Sequence, residues 1–492
     1  MTDRKQRHDR EILERIARRE MIDRGLLPDF SLDAQEELRL IGQPASSPQE
    51  PLRDLRNLLW CSIDNDDSKD LDQLSVAVPP SAGRAHLLIA VADVDATVVR
   101  GSPLDAHAEH NTTSVYTVPE VFPMLPPRLS TDLTSLNPAV DRIALVIDLA
   151  VSADGSILDA AIDRALVRNH AQLAYNGVAA WLAGGAPPPP ALAAVPGLDE
   201  NLRLQARLAA QLRARRAEEG ALSLATGEPR AVFEGERLAD LAPDMPNVAK
   251  ELIEDLMIAA NGAVARFLAA RGFPVLRRVL PPPEHWARII ELARGCGTEL
   301  PPQPDSRALN AFLLARRAAA PATFADLSLA VVKLLGRGEY AVQRPGEPGE
   351  GHFGLAVSDY AHSTAPNRRF PDLITQRLIK AALRNARCPY DEGALAALAS
   401  HCTEREDAAS KAERSVRKSA AALLLSGRIG ERFEAIVTGA APKGTWVRID
   451  KPAAEGRVIR GEQGMKVGER VRVELVGLDV ERGYIDFASV SA

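Results

Sequence analysis

Apolar residues near the start of the chain, Ile12, Leu13, Ile16 and Ile22, recur close to helical spacing. They predict a helix over residues 8–24, stopped by Gly25. A second short helix is predicted from about Ser31, with Asp33, Glu36 and Glu37 favourable in its first turns. The Pro- and Ser-rich stretch 42–51 reads as a linker. Residues 1–45 therefore form a small helical segment, either a helix-turn-helix or a plain helical pair packed on the next domain. Between about 55 and 165 strand and turn patterns dominate. The apolar runs 87–91 and 143–150, the second broken only by Asp148, suit strands covered on both faces. Residues 165–425 read as mostly helical, broken by Pro- and Gly-rich loops such as 184–197, a surface connection. After Gly427 five short strand-like runs (433–437, 445–449, 457–459, 471–478 and 484–487) alternate with Gly-rich turns and fit a small OB barrel. The expected class is α+β: a twisted sheet wrapped by helices over 46–425, then a five-stranded barrel over 427–492.

Chemistry concentrates in residues 62–73, Ser-Ile-Asp-Asn-Asp-Asp-Ser-Lys-Asp-Leu-Asp-Gln. Five aspartates within nine positions would push one another toward the neutral form unless a cation were present. If Asp70 opens the strand that runs on to Val78, Asp70 and Asp72 share a face. Asp64 would then join from the preceding turn. Such oxygens select Mg²⁺ or Mn²⁺ and suit phosphate-ester cleavage. The plainer alternatives are a solvated acidic loop or a calcium loop. An EF-hand lacks its glycine and closing glutamate here.

A second constellation runs from Tyr360 to Asp372. Its Arg368–Arg369 pair offers planar donors for a phosphate and its developing charge, just before a helix. The plainer reading is a solvated helix start with Asp372 compensating the arginines. On the helix around 403–425, Lys411, Arg414 and Lys418 form a basic stripe at i, i+3 and i+7. Glu413 lies four residues before Arg417, which reads most simply as an ion pair on a solvated face.

Composition narrows the class. The 492 residues suit two or three domains, and 46% hydrophobic content is enough for a sizeable core. A net charge of −6 argues against a basic nucleic-acid coat, so any RNA or DNA binding must use local patches. Cys61, Cys296, Cys388 and Cys402 are scattered without a CxxC pair, which disfavours zinc and suits reduced thiols in a cytoplasm. With no secretory h-region and no long apolar run, the expectation is a soluble cytoplasmic protein away from membranes.

The aspartate block, Tyr116 in Thr-Ser-Val-Tyr, Phe122-Pro-Met-Leu-Pro, Ser135-Leu-Asn-Pro-Ala-Val-Asp-Arg142, Met257-Ile-Ala-Ala-Asn261, Gly351-His-Phe-Gly-Leu355 and the loop from Tyr360 to Asp372 occur in that order. Together they resemble the RNase II/RNase R, or RNB, family of exoribonucleases over roughly 55–425. The terminal barrel resembles that family's RNA-binding barrel. The resemblance implies processive hydrolysis of single-stranded RNA from its 3′ end to 5′-monophosphates. It implies Mg²⁺, for which Mn²⁺ is a possible substitute at such oxygens. No organic cofactor is expected, and a monomer is the default. It casts Asp64, Asp70 and Asp72 as metal-binding or catalytic, Asp72 foremost, and Arg368 as the contact to the scissile phosphate. Tyr116 becomes a base-stacking aromatic, Glu413 the other side of that stack, and Glu254 a neighbour of the terminal ribose. Arg369 joins the RNA-binding set.

The chain departs from the family pattern at three places. Gln73 stands where a fourth aspartate is usual. An amide oxygen ligates without charge, so weaker metal affinity or more dependence on Mn²⁺ is expected. A catalytically impaired RNA-binding protein is the alternative. Leu224 stands where a phenylalanine usually clamps the stack, giving a softer wall. The two cold-shock domains that usually precede the catalytic domain have no counterpart in the first 50 or so residues. A more open entrance, tolerant of duplexes with a 3′ overhang, is the resulting expectation.

Overall fold

The computed structural model describes residues 2–46, 52–81, 83–225, 229–243, 246–441 and 443–490. Part of the expected linker, residues 47–51, lies outside them. Two helices lead, α1 (Thr2–Asp23) and α2 (Leu32–Leu40), the second capped by the Ser31 hydroxyl. They dock separately, α1 on α12 and β11 and α2 on α3.

The next stretch supplies β1 (Arg53–Asp54), β2 (Cys61–Asp64), β3 (Gln73–Ser81), β4 (Arg84–Ala92), α3 (Pro103–Asn111), the small hairpin β5 (Val115–Tyr116) and β6 (Val121–Phe122), then β7 (Asp141–Ser152), β8 (Ile157–Arg168) and β9 (Ala171–Ala174). Seven of these strands form one sheet in the order β1-β8-β7-β4-β3-β2-β9. β4 lies inside it between β3 and β7, which is why its apolar run is unbroken rather than alternating.

Helices α4 (Tyr175–Leu182), α5 (Pro190–Ala193) and α6 (Leu198–Glu219) come next, then the hairpin β10 (Pro229–Glu234) and β11 (Arg237–Pro243), and the long α7 (Val248–Ala270). α6 buries Leu198, Leu202, Gln205, Leu208 and Leu212 at helical spacing against the sheet and α7. Gln205 in that stripe accepts from the Ser75 hydroxyl at 2.7 Å, so its burial is satisfied. α7 is apolar almost all round because it is enclosed by the sheet, α6 and later elements.

β12 (Val275–Val279), α8 (Trp286–Gly295), α9 (Ser306–Ala319), α10 (Phe324–Leu335) and β13 (Glu339–Gln343) complete the middle of the chain. The β10–β11 and β12–β13 pairs are strands inside a region expected to be mostly helical. β10 and β11 interleave Arg230, Glu234, Arg237 and Asp240 with apolar residues without strict alternation, and β11 packs against α1 and α12.

α11 (Phe370–Leu383) and the 33-residue α12 (Glu392–Leu424) lead to β14 (Arg432–Ala441), β15 (Gly444–Asp450), β16 (Ala453–Arg460), β17 (Arg470–Asp479) and β18 (Tyr484–Ser489). These last five close into the expected barrel, in the order β14-β15-β16-β18-β17. Gly456 must be glycine there, since a Cβ would stand 2.5 Å from the Phe487 ring. α12 spans about 50 Å at ~1.5 Å per residue. It touches α1, β5, β13 and the barrel, and so acts as the molecule's spine.

Ala17, Met21 and Leu26 from the N-terminal segment share one apolar cluster with Val115 and Phe122 of the small hairpin and Ala412 and Val416 of α12. Met21 is fully buried in it. Replacing Met21 with alanine should cost about 2–5 kcal/mol and lower the melting temperature in a calorimetric scan. An unchanged melting temperature would show that α1 is not an integral part of the fold.

Candidate active site

The five aspartates divide. Asp66 and Asp67 are exposed and turn toward Arg230 of β10, at 3.7 and 2.6 Å. Asp64, Asp70 and Asp72 turn inward. The strand begins only at Gln73, so Asp70 and Asp72 lie in the extended loop before β3 rather than on the strand. That loop is pinned from both sides. The Leu71 N–H donates to the Ser135 hydroxyl at 3.0 Å, and that hydroxyl donates to the Lys69 carbonyl at 2.9 Å. Leu136 N–H donates to the Leu71 carbonyl, and Ala92 N–H to that of Asp72, each at 2.9 Å. A π turn, Leu129–Leu133, delivers Thr134 and Ser135 to this place.

Asp72 is 3% exposed. Its Oδ1 accepts the Asn367 N–H at 2.9 Å, and its Oδ2 lies 3.5 Å from Arg368 Nε. That Oδ2 is buried and has no hydrogen-bond partner. Burial pushes the Asp72 carboxyl up to about 7, against the pull of Arg368 and the Asn367 N–H, and Asp70 raises it further. Burial likewise raises Asp64 and Asp70, and Arg368 opposes the shift in both. Asp70 also pushes Asp64 upward, so the three carboxylates form one coupled group facing one guanidinium.

Arg368 reaches this group from a loop that is itself clamped. Ser114 N–H donates to the Arg368 carbonyl at 2.9 Å, Phe370 N–H to the Thr112 carbonyl at 2.8 Å, and Ala365 N–H to Asp372 Oδ1 at 2.8 Å. The Arg368 side chain remains 42% exposed, enough to meet a ligand. Behind it, Asn261 of α7 accepts from the Ser363 N–H and hydroxyl at 2.9 and 2.7 Å, and Tyr340 OH pairs with His362 Nδ1 at 2.8 Å.

Tyr116 stands at the opposite wall, 43% exposed. Its N–H donates to Glu413 Oε1 of α12 at 2.8 Å, and its hydroxyl reaches Asp70 Oδ2 at 3.5 Å. The structure thus brings Asp64, Asp70, Asp72, Arg368, Tyr116 and Glu413 together. Gln73 opens β3 opposite Val91, directly beside Asp72 in the chain. Glu254 projects from an exposed position of α7. Although the residue is exposed, protein crowding around its carboxyl strips part of its hydration and raises it, its neighbours Asp255, Arg216 and Arg213 modulate it, and its charge is felt at Tyr360.

Two residues take other places. Arg369, expected to touch RNA, turns inward and pairs with the fully buried Asp372 at 2.8 Å. A guanidinium at the start of α11 opposes the helix dipole unless a carboxylate answers it, and Asp372 does. Leu224, expected at the base stack, packs instead in the apolar cluster of Trp286, Phe312 and Phe324. The reading of residue types missed Tyr175. It opens α4 directly after β9, the parallel neighbour of β2, and its hydroxyl is raised by burial and then by Asp64. The available signal was an aromatic in a chain with only 4% of them.

Residues 52–385 match the family model described as RNB domain, and residues 431–490 that of the RNase II-type exonuclease C-terminal S1 domain. The chain belongs to the RNB family. Ribonuclease R of Escherichia coli (strain K12) is 30% identical over 530 residues, covering 95% of this RNB chain and 62% of that protein. The chain spans 56 to 73% of the length of the curated ribonuclease R relatives considered. Mycoplasma genitalium RNase R, solved in complex with ribose methylated single-stranded RNA, shares the fold with a TM-score of 0.85 at 22% identity, covering 96% of this chain and 77% of that one. Yeast Ssd1, a pseudonuclease, shares it with a TM-score of 0.73 at 17% identity, covering 96% and 59%.

Among the described residues no three Asp, Glu, His or Cys side chains are arranged so as to hold a metal ion. The chemistry of the donor set nevertheless suits one. Asp72 Oδ2 is an orphaned buried acceptor, and its neighbours are hard oxygen donors held at a cost in repulsion. In metal-free protein, the raised Asp72 carboxyl costs stability as pH climbs from about 4 through about 7, since the folded state binds the proton more tightly. Asp72→Asn should therefore stabilise metal-free protein by roughly 1–3 kcal/mol at pH 8 and by little at pH 5. Chemical denaturation at both pH values measures this. Equal effects at both would contradict the burial of a titrating carboxylate.

Proposed function

We propose that this protein is a divalent-metal-dependent hydrolytic exoribonuclease that removes 5′-monophosphates processively from the 3′ ends of single-stranded RNA. The observation that carries the proposal is the meeting of three coupled carboxylates, one with an unsatisfied buried oxygen, with the partly exposed Arg368. Asp64, Asp70 and Asp72 would hold the ion, with the uncharged Gln73 at the edge. When bound, Mg²⁺ or Mn²⁺ would lower the pKa of a water and stabilise charge on the scissile phosphate.

The chain's own groups supply the rest. Arg368 offers planar donors to the phosphate, and turning toward it draws the guanidinium off Asp72. Tyr116 gives a π-face to the terminal bases, which accounts for sequence tolerance. Glu413 fixes the Tyr116 backbone, and so holds that face in position. Tyr175, within electrostatic reach of Asp64, and Glu254, within reach of Tyr360, would test the ribose hydroxyls that separate RNA from DNA. A cytoplasmic monomer is part of the same proposal, supported by four free thiols.

The second reading is an RNA-binding protein with impaired turnover. Gln73 in place of a charged ligand favours it, and a pseudonuclease with this fold shows that architecture alone does not guarantee catalysis. Incubating 5′-labelled single-stranded RNA with Mg²⁺, Mn²⁺ or EDTA separates the two. The enzyme yields a metal-dependent ladder of shortening products, and the binder yields retarded but intact RNA. Arg368→Ala should lower kcat by about 10²–10³-fold. Asp72→Asn should abolish turnover with RNA binding largely kept. Loss of binding without loss of turnover would refute these roles.

A further inference from the structure

A pocket of about 610 Å³ opens beside α7, framed by α6, α9, the turn between β7 and β8, and residues 356–359. That volume suits a ligand the size of a mononucleotide. Four arginines and three carboxylates line it. All three carboxylates are already answered. Asp255 pairs with Arg216 and with Arg213, the latter at 2.7 Å, Glu219 with Arg215 at 3.4 Å, and Asp359 with the buried Arg277 at 2.6 Å. Two guanidiniums are left over. Among the described residues Arg266 has no ion pair or hydrogen bond, and Arg307 has only a 3.4 Å bond from Nε to the Glu219 carbonyl. On the same wall Arg216 keeps a buried Nε without a partner.

The walls are already in place. The Gly155 turn sits so close to α6 that a Cβ there would stand 2.4 Å from the Gln211 carbonyl oxygen. A Cβ at Gly262 would stand 3.2 Å from the Asp359 carbonyl oxygen and 3.3 Å from Arg266 Nη1, so the Arg266 guanidinium folds back over its own helix. Arg277 donates to the Ser358 carbonyl and, at 3.2 Å, to that of Glu350, which fixes the far wall. Ile258, Ala259 and Val357 give the pocket an apolar part. At about 100° per residue, Asp255, Gly262 and Arg266 leave α7 on a different flank from Glu254 and Asn261. The pocket is therefore separate from the centre around Asp72.

We propose that this pocket binds a phosphate monoester, namely a nucleoside 5′-monophosphate, apart from the catalytic centre. Such a phosphate carries close to two negative charges near pH 7, which matches the two uncompensated guanidiniums. The apolar part receives the base. A phosphate inside an RNA strand carries one negative charge and continues on both sides, so it matches the pocket less well. This inference rests on the exoribonuclease reading only for why such a ligand would be plentiful beside the protein, and not for the binding itself.

Titration calorimetry of the full chain in EDTA reads the binding, with adenosine 5′-monophosphate, inorganic phosphate and adenosine as probes. The nucleotide should bind, and phosphate alone or adenosine alone should bind at least roughly tenfold more weakly. The variant R266A/R307A should weaken the nucleotide by about 10²-fold at an unchanged melting temperature, since each charge-assisted contact is worth about tenfold or more. Arg368→Ala should bind the nucleotide as the wild type does, and an RNA pentamer with hydroxyl ends should not displace it. The proposal is overturned if R266A/R307A keeps wild-type affinity, if inorganic phosphate binds as tightly as the nucleotide, if Arg368→Ala abolishes binding, or if the pentamer displaces the nucleotide. Wild-type protein that binds the nucleotide through the two arginines but leaves RNA uncut with every divalent ion would remove the catalytic reading and leave this one standing.

Discussion

Everything at the candidate site depends on placing a carboxylate where water cannot reach it. Asp72 is buried at the entry to β3, held through one oxygen by the Asn367 backbone, and left with the other oxygen 3.5 Å from Arg368 and without a hydrogen bond. A lone guanidinium at 3.5 Å does not compensate three neighbouring carboxylates, and their raised proton affinities record that deficit. That deficit is what supports the proposed binding of a small, highly charged cation at the loop.

The surrounding fold keeps that deficit from relaxing. Ser135 and Leu136 fasten the aspartate loop from one side, and the loop carrying Arg368 is tied to the segment leading into Tyr116. Asn367, whose N–H holds Asp72, is in turn reached by the Thr134 hydroxyl at 2.5 Å. Side chains that touch no substrate therefore decide the position of those that would. The N-terminal helices belong to the same scaffold, since α1 packs behind the Tyr116 hairpin and against α12.

Much of this was legible in the residues. The 87–91 run, and the 143–150 run broken only by Asp148, became interior strands because near-continuous apolarity signals cover on both faces. The five barrel strands formed where alternation and glycine turns marked them. Asp64, Asp70, Asp72, Arg368, Tyr116 and Glu413 meet although they span about 350 positions of chain, because motif order carries tertiary information that periodicity lacks. What failed was local. Asp70 and Asp72 precede the strand because Ser135 and Leu136 claim the backbone hydrogen bonds that a ladder would have used. Arg369 was drawn inward by Asp372, and Leu224 by the Trp286 cluster, and neither pull leaves a trace in spacing. The β10–β11 hairpin depends on α1 and α12 rather than on its own pattern.

The central claim is that a buried, proton-hungry Asp72 becomes a metal ligand. Titrating Mn²⁺ and Mg²⁺ into metal-free protein at pH 7, in calorimetric buffers of different ionisation enthalpy, reads it directly. The account predicts specific binding accompanied by proton release, with both lost in Asp72→Asn. Binding without proton release, or binding unchanged in that variant, would contradict it.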